Sequence, residues 1–251
     1  MMAFTLAARE LRTLFLSPLA WAILAVVEIL VGYLFLAQVD MFLQIQPRLA
    51  AMEGVPGVTE LIVAPTFANA GMILLLVIPM LTMRLVSEER RAQTLPLLFS
   101  APVSMTEIIL GKYFGVMGFL LVMLGIITLM PLSLLAGGSL DFGMVFGGLL
   151  GLTLLVSTFA AAGLYISTLT AQPGVAAVST FGLLLMLWML DWAGGGASQT
   201  SEAFHYFSLL RHYEPLLAGA FKSSDVIFYL LTTTIFLVLS VRRLDGYRLQ
   251  H

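Results

Sequence analysis

Apolar residues run through this chain in long uninterrupted blocks rather than in the alternation of a half-buried strand. Six blocks stand out, at about 19–37, 67–86, 113–136, 142–169, 175–192 and 226–241. A helix rises 1.5 Å per residue, so about 20 apolar residues match a hydrocarbon core roughly 30 Å thick. The blocks therefore predict an all-α integral membrane fold of six transmembrane helices within residues 19–251. The fourth block is longer than one crossing needs, which predicts a tilted helix or one projecting beyond the core.

Residues 1–18 have a different pattern. Phe4, Ala7, Leu11, Leu14 and Phe15 recur at helical spacing, with Arg9, Glu10 and Arg12 between them and Pro18 at the end. This predicts an amphipathic interfacial helix with its apolar side toward the acyl chains. No cleavable signal pattern is present, so the first span is expected to act as an uncleaved anchor. Between spans, 39–66 carries Pro47, Gly54, Pro56, Gly57 and Pro65 and predicts a mostly irregular cap. Gly137, Gly138 and Ser139 make a minimal turn. Residues 193–225 open on a Gly-rich linker and continue as short interfacial helices, broken at Pro215 and Gly219.

Composition narrows the class. Of 251 residues, 60% are hydrophobic and 10% charged, where a soluble domain carries roughly 25% charged residues. A soluble enzyme, a nucleic-acid binder and a disordered tail are excluded. The absence of cysteine excludes disulfides and thiolate chemistry. Charge sets orientation. With six spans, Arg9, Arg12, Arg84, Arg90, Arg91, Lys112, Arg242, Arg243 and Arg248 fall on one side, and only Arg48, Arg211 and Lys222 on the other. Lys and Arg in short loops favour the cytoplasm, so a multi-pass protein with both termini cytoplasmic is expected. Trp21 and Tyr113 are expected as interfacial anchors on that side, Trp188 and Trp192 on the outer one.

The densest charge lies in the cytoplasmic loop 84–112. Ser87 to Ser100 predicts a short helix with Glu88, Glu89, Arg90 and Arg91 toward water and Leu97, Leu98 and Phe99 as an apolar end. Ser104 and Glu107 fit a capping box that starts the third span. Such a charged helix suits docking in a partner's groove, and equally a solvated connector.

The string SEERRAQTLPLLFSAPVSMTEIILGKYFG resembles the membrane subunits of type-2 ABC transporters, where a coupling helix follows the second span. ARELRTLFLSPLAW and RHYEPLLAGAFKSSDVIFYLLTTTIFLVLSVRRL resemble the same subunits, in particular the gliding-motility-type branch. The chain departs from those relatives at Gln93, where they usually carry Gly, and at Pro96, where an acidic residue is frequent. The resemblance implies a non-catalytic permease subunit of the bacterial inner membrane, an exporter, coupled to a cytoplasmic ABC ATPase dimer. It implies pairing with a second copy or a related permease, and a membrane partner with a periplasmic domain. Glu88, Glu89, Arg90, Thr94, Leu97 and Leu98 would be the coupling contacts, with Arg9 and Glu10 on the interfacial helix. No cofactor is expected in this chain; ATP and Mg would sit in the partner, since no Gly-x-x-x-x-Gly-Lys-[Ser/Thr] loop is present.

Glu28 lies near the middle of the first span, where a charge costs a few kcal/mol. It reads either as a cavity contact for substrate or proton, or as an interhelical clasp with Asn69 or a hydroxyl of the fourth or fifth span. Gly143, Gly147 and Gly151 share a face that allows close packing, within the subunit or at a dimer seam. His205, His212 and Glu214 share the last outer loop; a metal site would need a further ligand, and an interfacial helix with titratable side chains is the simpler reading. A stand-alone secondary transporter or channel is the alternative function, but it would want several intramembrane charges and an internal repeat. An intramembrane hydrolase would want a histidine or paired aspartates inside the spans, and neither is found.

Overall fold

The six blocks fold as helices long and apolar enough to cross a membrane. They are seen in a computed structural model that describes residues 2–49, 57–94, 103–137, 140–193 and 206–248. The spans are α2 (Pro18–Leu49), α3 (Ala64–Thr82), α5 (Met105–Ser133), α6 (Phe142–Leu169), α7 (Pro173–Ala193) and α9 (Ser223–Arg248). Shorter helices are α1 (Met2–Leu16), α4 (Ser87–Arg91) and α8 (Leu209–Leu217). A π-helical turn, Thr59–Val63, leads into α3. The described residues contain no strand.

Local chemistry fixes the helix starts. The Ser104 hydroxyl accepts from the Glu107 amide, and the Glu107 carboxylate accepts from the Ser104 amide, both at 3.2 Å, which is the predicted capping box. Asp141 caps α6 by accepting from the amides of Gly143 and Met144 at 2.8 and 3.4 Å. Its own amide donates to Thr59 Oγ1, pinning the π-turn to the start of α6.

The core runs through α3, α5 and α6. Phe67, Leu74 and Ile78 pack with Leu120, Met123 and Ile127 and with Leu152, Leu155 and Phe159, all buried. Hydroxyls stitch the same region. Tyr113 and Ser157 are 2.7 Å apart, Ser157 and Thr233 3.3 Å, and Thr158 and Thr233 3.0 Å, joining α5, α6 and α9. Tyr113 is therefore a buried interhelical tie and not the interfacial anchor its position at a span end suggests.

Three other elements depart from expectation. First, α2 continues to Leu49 instead of giving way to an irregular cap. Gln38 Oε1 accepts from Thr66 Oγ1 at 2.9 Å and Gln44 donates to Asp40 at 2.8 Å, so polar residues there extend the helix. Pro47 falls in the last turn, where its missing amide costs the one bond to the Leu43 carbonyl and leaves the ladder before it intact. Second, α1 rests part of its apolar side on the protein, while Phe4 and Leu16 stay exposed and none of its residues is fully buried. Ala3 and Leu6 meet Gly111, Ala7 and Glu10 meet Gly115, Leu11 meets Gly118 and Phe15 meets Phe119, so α1 runs beside the start of α5 in the same direction. A Cβ on Gly111 would lie 2.6 Å from Leu6 Cβ, and one on Gly115 2.6 Å from Glu10 Cβ. Third, α8 plugs the bundle with one face while Arg211 and Glu214 on the other stay exposed, and it passes through Pro215 to end at Gly219.

That plug accounts for the glycine stripe of the fourth span. A Cβ on Gly147 would lie 2.9 Å from the Leu216 carbonyl, and one on Gly151 2.9 Å from Leu216 Cβ and 3.2 Å from the Tyr213 ring. The stripe seats α8 of the same subunit. Tyr213 fits between Gly71 and Gly151 and donates to the Phe67 carbonyl at 2.7 Å. Burial, and secondarily Tyr229, hold its phenol well above the ordinary range, so it remains a donor at any working pH.

Candidate functional site at the basic end

The charged segment after the second span folds into an elbow. The ladder of α3 breaks at Met83–Val86, and Ser167 of α6 fills the break. Its hydroxyl accepts from the amides of Val86 and Ser87, each at 3.1 Å, and donates to the Met83 carbonyl at 3.1 Å. The side chain of one span thus caps the first turn of α4. Ser87 adds a hydroxyl bond back to the Met83 carbonyl.

The helix then stops after five residues, short of the predicted run to Ser100. Thr94 N–H donates to the Glu89 carbonyl at 3.0 Å and Gln93 N–H to that of Arg90 at 3.3 Å. This is a Schellman ending, with Gln93 in the left-handed position at φ +57°. That position favours glycine. Leu97 and Leu98 lie outside the described residues.

Charge fixes the elbow to three other elements. Lys112, near the start of α5, is buried, and its Nζ donates to Glu89 Oε1 at 2.7 Å with Glu10 Oε2 of α1 at 3.8 Å. An ammonium removed from water in this way must be compensated by neighbouring anions, and both glutamates serve. Arg90 Nη1 donates to the carbonyls of Thr168 and Leu169 at 3.3 and 3.1 Å, where α6 leaves them unpaired at its end. Its guanidinium also lies 4.7 Å from the centre of the Tyr247 ring in α9.

The expected contact residues therefore divide. Glu89 and Arg90 are turned inward as internal ties. Glu88 and Thr94 are exposed with Arg84, Arg91 and Gln93 and form the outward surface of the elbow. Glu10 belongs to the tie, whereas Arg9 is exposed on α1. Lys112 is the residue that sequence reasoning missed; a lone lysine at a span end looks like an orientation signal, and only the fold brings two carboxylates to it.

Clefts flank the elbow on both sides. One of about 590 Å³ is lined by Met83, Arg84, Glu88, Arg91, Pro173 and Gly174. Another of about 160 Å³ lies toward α1 and α2, with Glu10, Leu14, Met80, Arg84 and Glu88 on its walls.

Glu28 stands apart from this site. It is half-buried on the inward side of α2, and both carboxyl oxygens are enclosed without a hydrogen-bond partner among the described residues. The clasp with Asn69 or a neighbouring hydroxyl does not form. His205 lies outside the described residues, and both ring nitrogens of His212 are engaged by protein, while Glu214 is exposed.

A six-helix membrane bundle with a charged elbow tied to three of its spans, α5, α6 and α9, defines a multi-pass membrane protein. A family model described as ABC-2 family transporter protein matches residues 4–247, and the chain belongs to that family. It is the permease subunit of an ABC transporter, a class that generally works with a cytoplasmic ATPase. No curated protein matches the chain.

Proposed function

We propose that the chain carries out ATP-driven export, receiving the stroke of a separate ABC ATPase dimer on the elbow and converting it into alternating access. The carrying observation is the tie set of α4: Glu89 to Lys112, which also faces Glu10, and Arg90 to the end of α6 and to Tyr247. Glu88 and Thr94 lead the surface that meets the ATPase, with Leu97 and Leu98 following. Arg9 on the exposed side of α1 reaches the same partner. ATP and Mg belong to the partner's site.

The excess of Lys and Arg at the elbow end supports the inner membrane of a bacterium with both termini in the cytoplasm. A second copy or a related permease completes the pathway, and the gliding-type resemblance favours a further membrane partner with a periplasmic domain. Glu28 has no hydrogen-bond partner among the described residues and serves as a polar contact of the pathway.

Co-expression with an ABC ATPase and purification in nanodiscs tests this reading. A stable complex whose ATP hydrolysis requires the permease is expected. A permease that stays alone and moves solute down an ion gradient would establish the stand-alone transporter instead.

A further inference from the structure

At the end of the bundle opposite the elbow, His212 of α8 and Asp225 of α9 make a buried pair, each with about one-twentieth of its surface exposed. His212 Nδ1 lies 2.8 Å from Asp225 Oδ1, and Nε2 lies 3.0 Å from the backbone carbonyl of Tyr206. Both nitrogens face acceptors. A neutral imidazole has one donor and one acceptor nitrogen, so it can satisfy only one of these contacts; the doubly protonated ring satisfies both. The ring also stacks on Phe228, with centroids 4.0 Å apart and planes 22° apart, and meets the Tyr206 ring edge-on. A carboxylate beside it and an aromatic face under it both suit a cation.

We propose that His212 and Asp225 form a pH-sensitive latch that fastens α8 to the sixth span, closed while the imidazole carries two protons and loosened when it loses one. The proton that leaves forfeits one of the two bonds. If Nδ1–H is kept for Asp225, the Tyr206 carbonyl faces a nitrogen lone pair, and the chain entering α8 is released from it. Tyr213 and Leu216 keep α8 seated on Gly147 and Gly151, so what loosens is the chain that enters it.

The other ionisable groups nearby do not replace His212. Tyr229 of α9 donates to the Leu209 carbonyl at 2.7 Å, and Tyr213 is committed to Phe67. Arg211, Glu214 and Lys222 are exposed, and Lys222 offers its carbonyl to the Asp225 amide. α3 contains no ionisable side chain and α6 only Tyr165, near its other end. The Asp191 side chain of α7 lies outside the described residues. Among the described residues Asp225 Oδ2 is buried without a partner and Oδ1 receives only the Ser224 hydroxyl at 3.4 Å besides His212, so His212 is the principal compensation for this carboxylate.

Nitrogen-15 histidine NMR of the full chain in nanodiscs tests the latch, with the His212 signal assigned by its loss in His212→Gln. Two protonated ring nitrogens are expected wherever the latch is closed, giving way to one where it is loosened as pH rises. Over the same range, amide exchange across 206–217, corrected for its intrinsic pH dependence, should quicken about tenfold, the effect of losing one charge-assisted hydrogen bond. Asp225→Asn should exchange fast at both ends of the range. A neutral ring throughout, or wild-type exchange indifferent to pH, overturns the latch. The wild-type profile decides even if a variant fails to fold, and neither result bears on ATPase coupling.

Discussion

The two ends of the bundle are held by different chemistry. At the basic end the ties are long charged side chains: Lys112 between Glu10 and Glu89, and Arg90 on the carbonyls at the end of α6, with clefts on either side. At the opposite end the ties are short and dry, with Tyr213 and Tyr229 donating to backbone carbonyls and glycines admitting α8 against the fourth span. Ionic ties through flexible side chains tolerate displacement and transmit it, whereas close packing resists it. The contrast places compliance at the elbow and rigidity at the plug.

Overpacking each end should give the largest difference. Gly151→Leu would drive a side chain into Leu216 and the Tyr213 ring, and a loss of about 3 kcal/mol or folding failure is expected, read as collapse of the monodisperse peak in detergent. Gly115→Leu, under α1, should lift α1 and Glu10 away while the six spans stay folded. Equal damage from the two would remove the contrast.

Next comes Lys112→Met, which keeps the apolar stem and deletes the charge. Both glutamates retain some water contact, so a loss on the order of 2 kcal/mol is expected. Thermal unfolding at low and high salt checks it, since part of the loss comes from repulsion between Glu10 and Glu89 and should shrink in salt. At the plug, Tyr213→Phe removes the second bond on the Phe67 carbonyl, which keeps its helix partner, costing about 1 kcal/mol with no salt dependence.

The smallest effects have opposite signs. α8 ends as α4 does, with Ala220 N–H on the Pro215 carbonyl, Gly219 N–H on that of Leu216, and Gly219 at φ +74°. Gln93→Gly should stabilise by about 0.5–1 kcal/mol, because it relieves a left-handed non-glycine residue. Gly219→Ala should destabilise by about 1 kcal/mol or more, since it adds that strain and a Cβ 2.9 Å from Met144 Cγ. Differential scanning fluorimetry of the pair measures both.

These features were unevenly legible. The fourth span was read to its boundaries from apolar content alone, and Ser104 with Glu107 announced the start of the third, because both signals are local. The second helix outruns its apolar block because Gln38, Asp40 and Gln44 continue it, and Pro47 forfeits only its own amide bond two residues before the end. α8 looked interfacial because its polar residues, His212 and Tyr213, gain their partners from distant chain positions. Glu89 and Arg90 looked water-facing for the same reason: nothing in SEERR tells that Lys112, Thr168 and Tyr247 will surround it.

The central claim is that α4 and its exposed residues receive the stroke. Because the chain has no cysteine, Glu88→Cys and Thr94→Cys give unique labelling sites for crosslinking to a co-expressed ABC ATPase in membranes. Crosslinks to the ATPase whose yield changes between nucleotide-free and ATP-trapped states are expected at both positions. Free access of both thiols to a water-soluble maleimide in the assembled, hydrolysing complex would contradict coupling through this elbow.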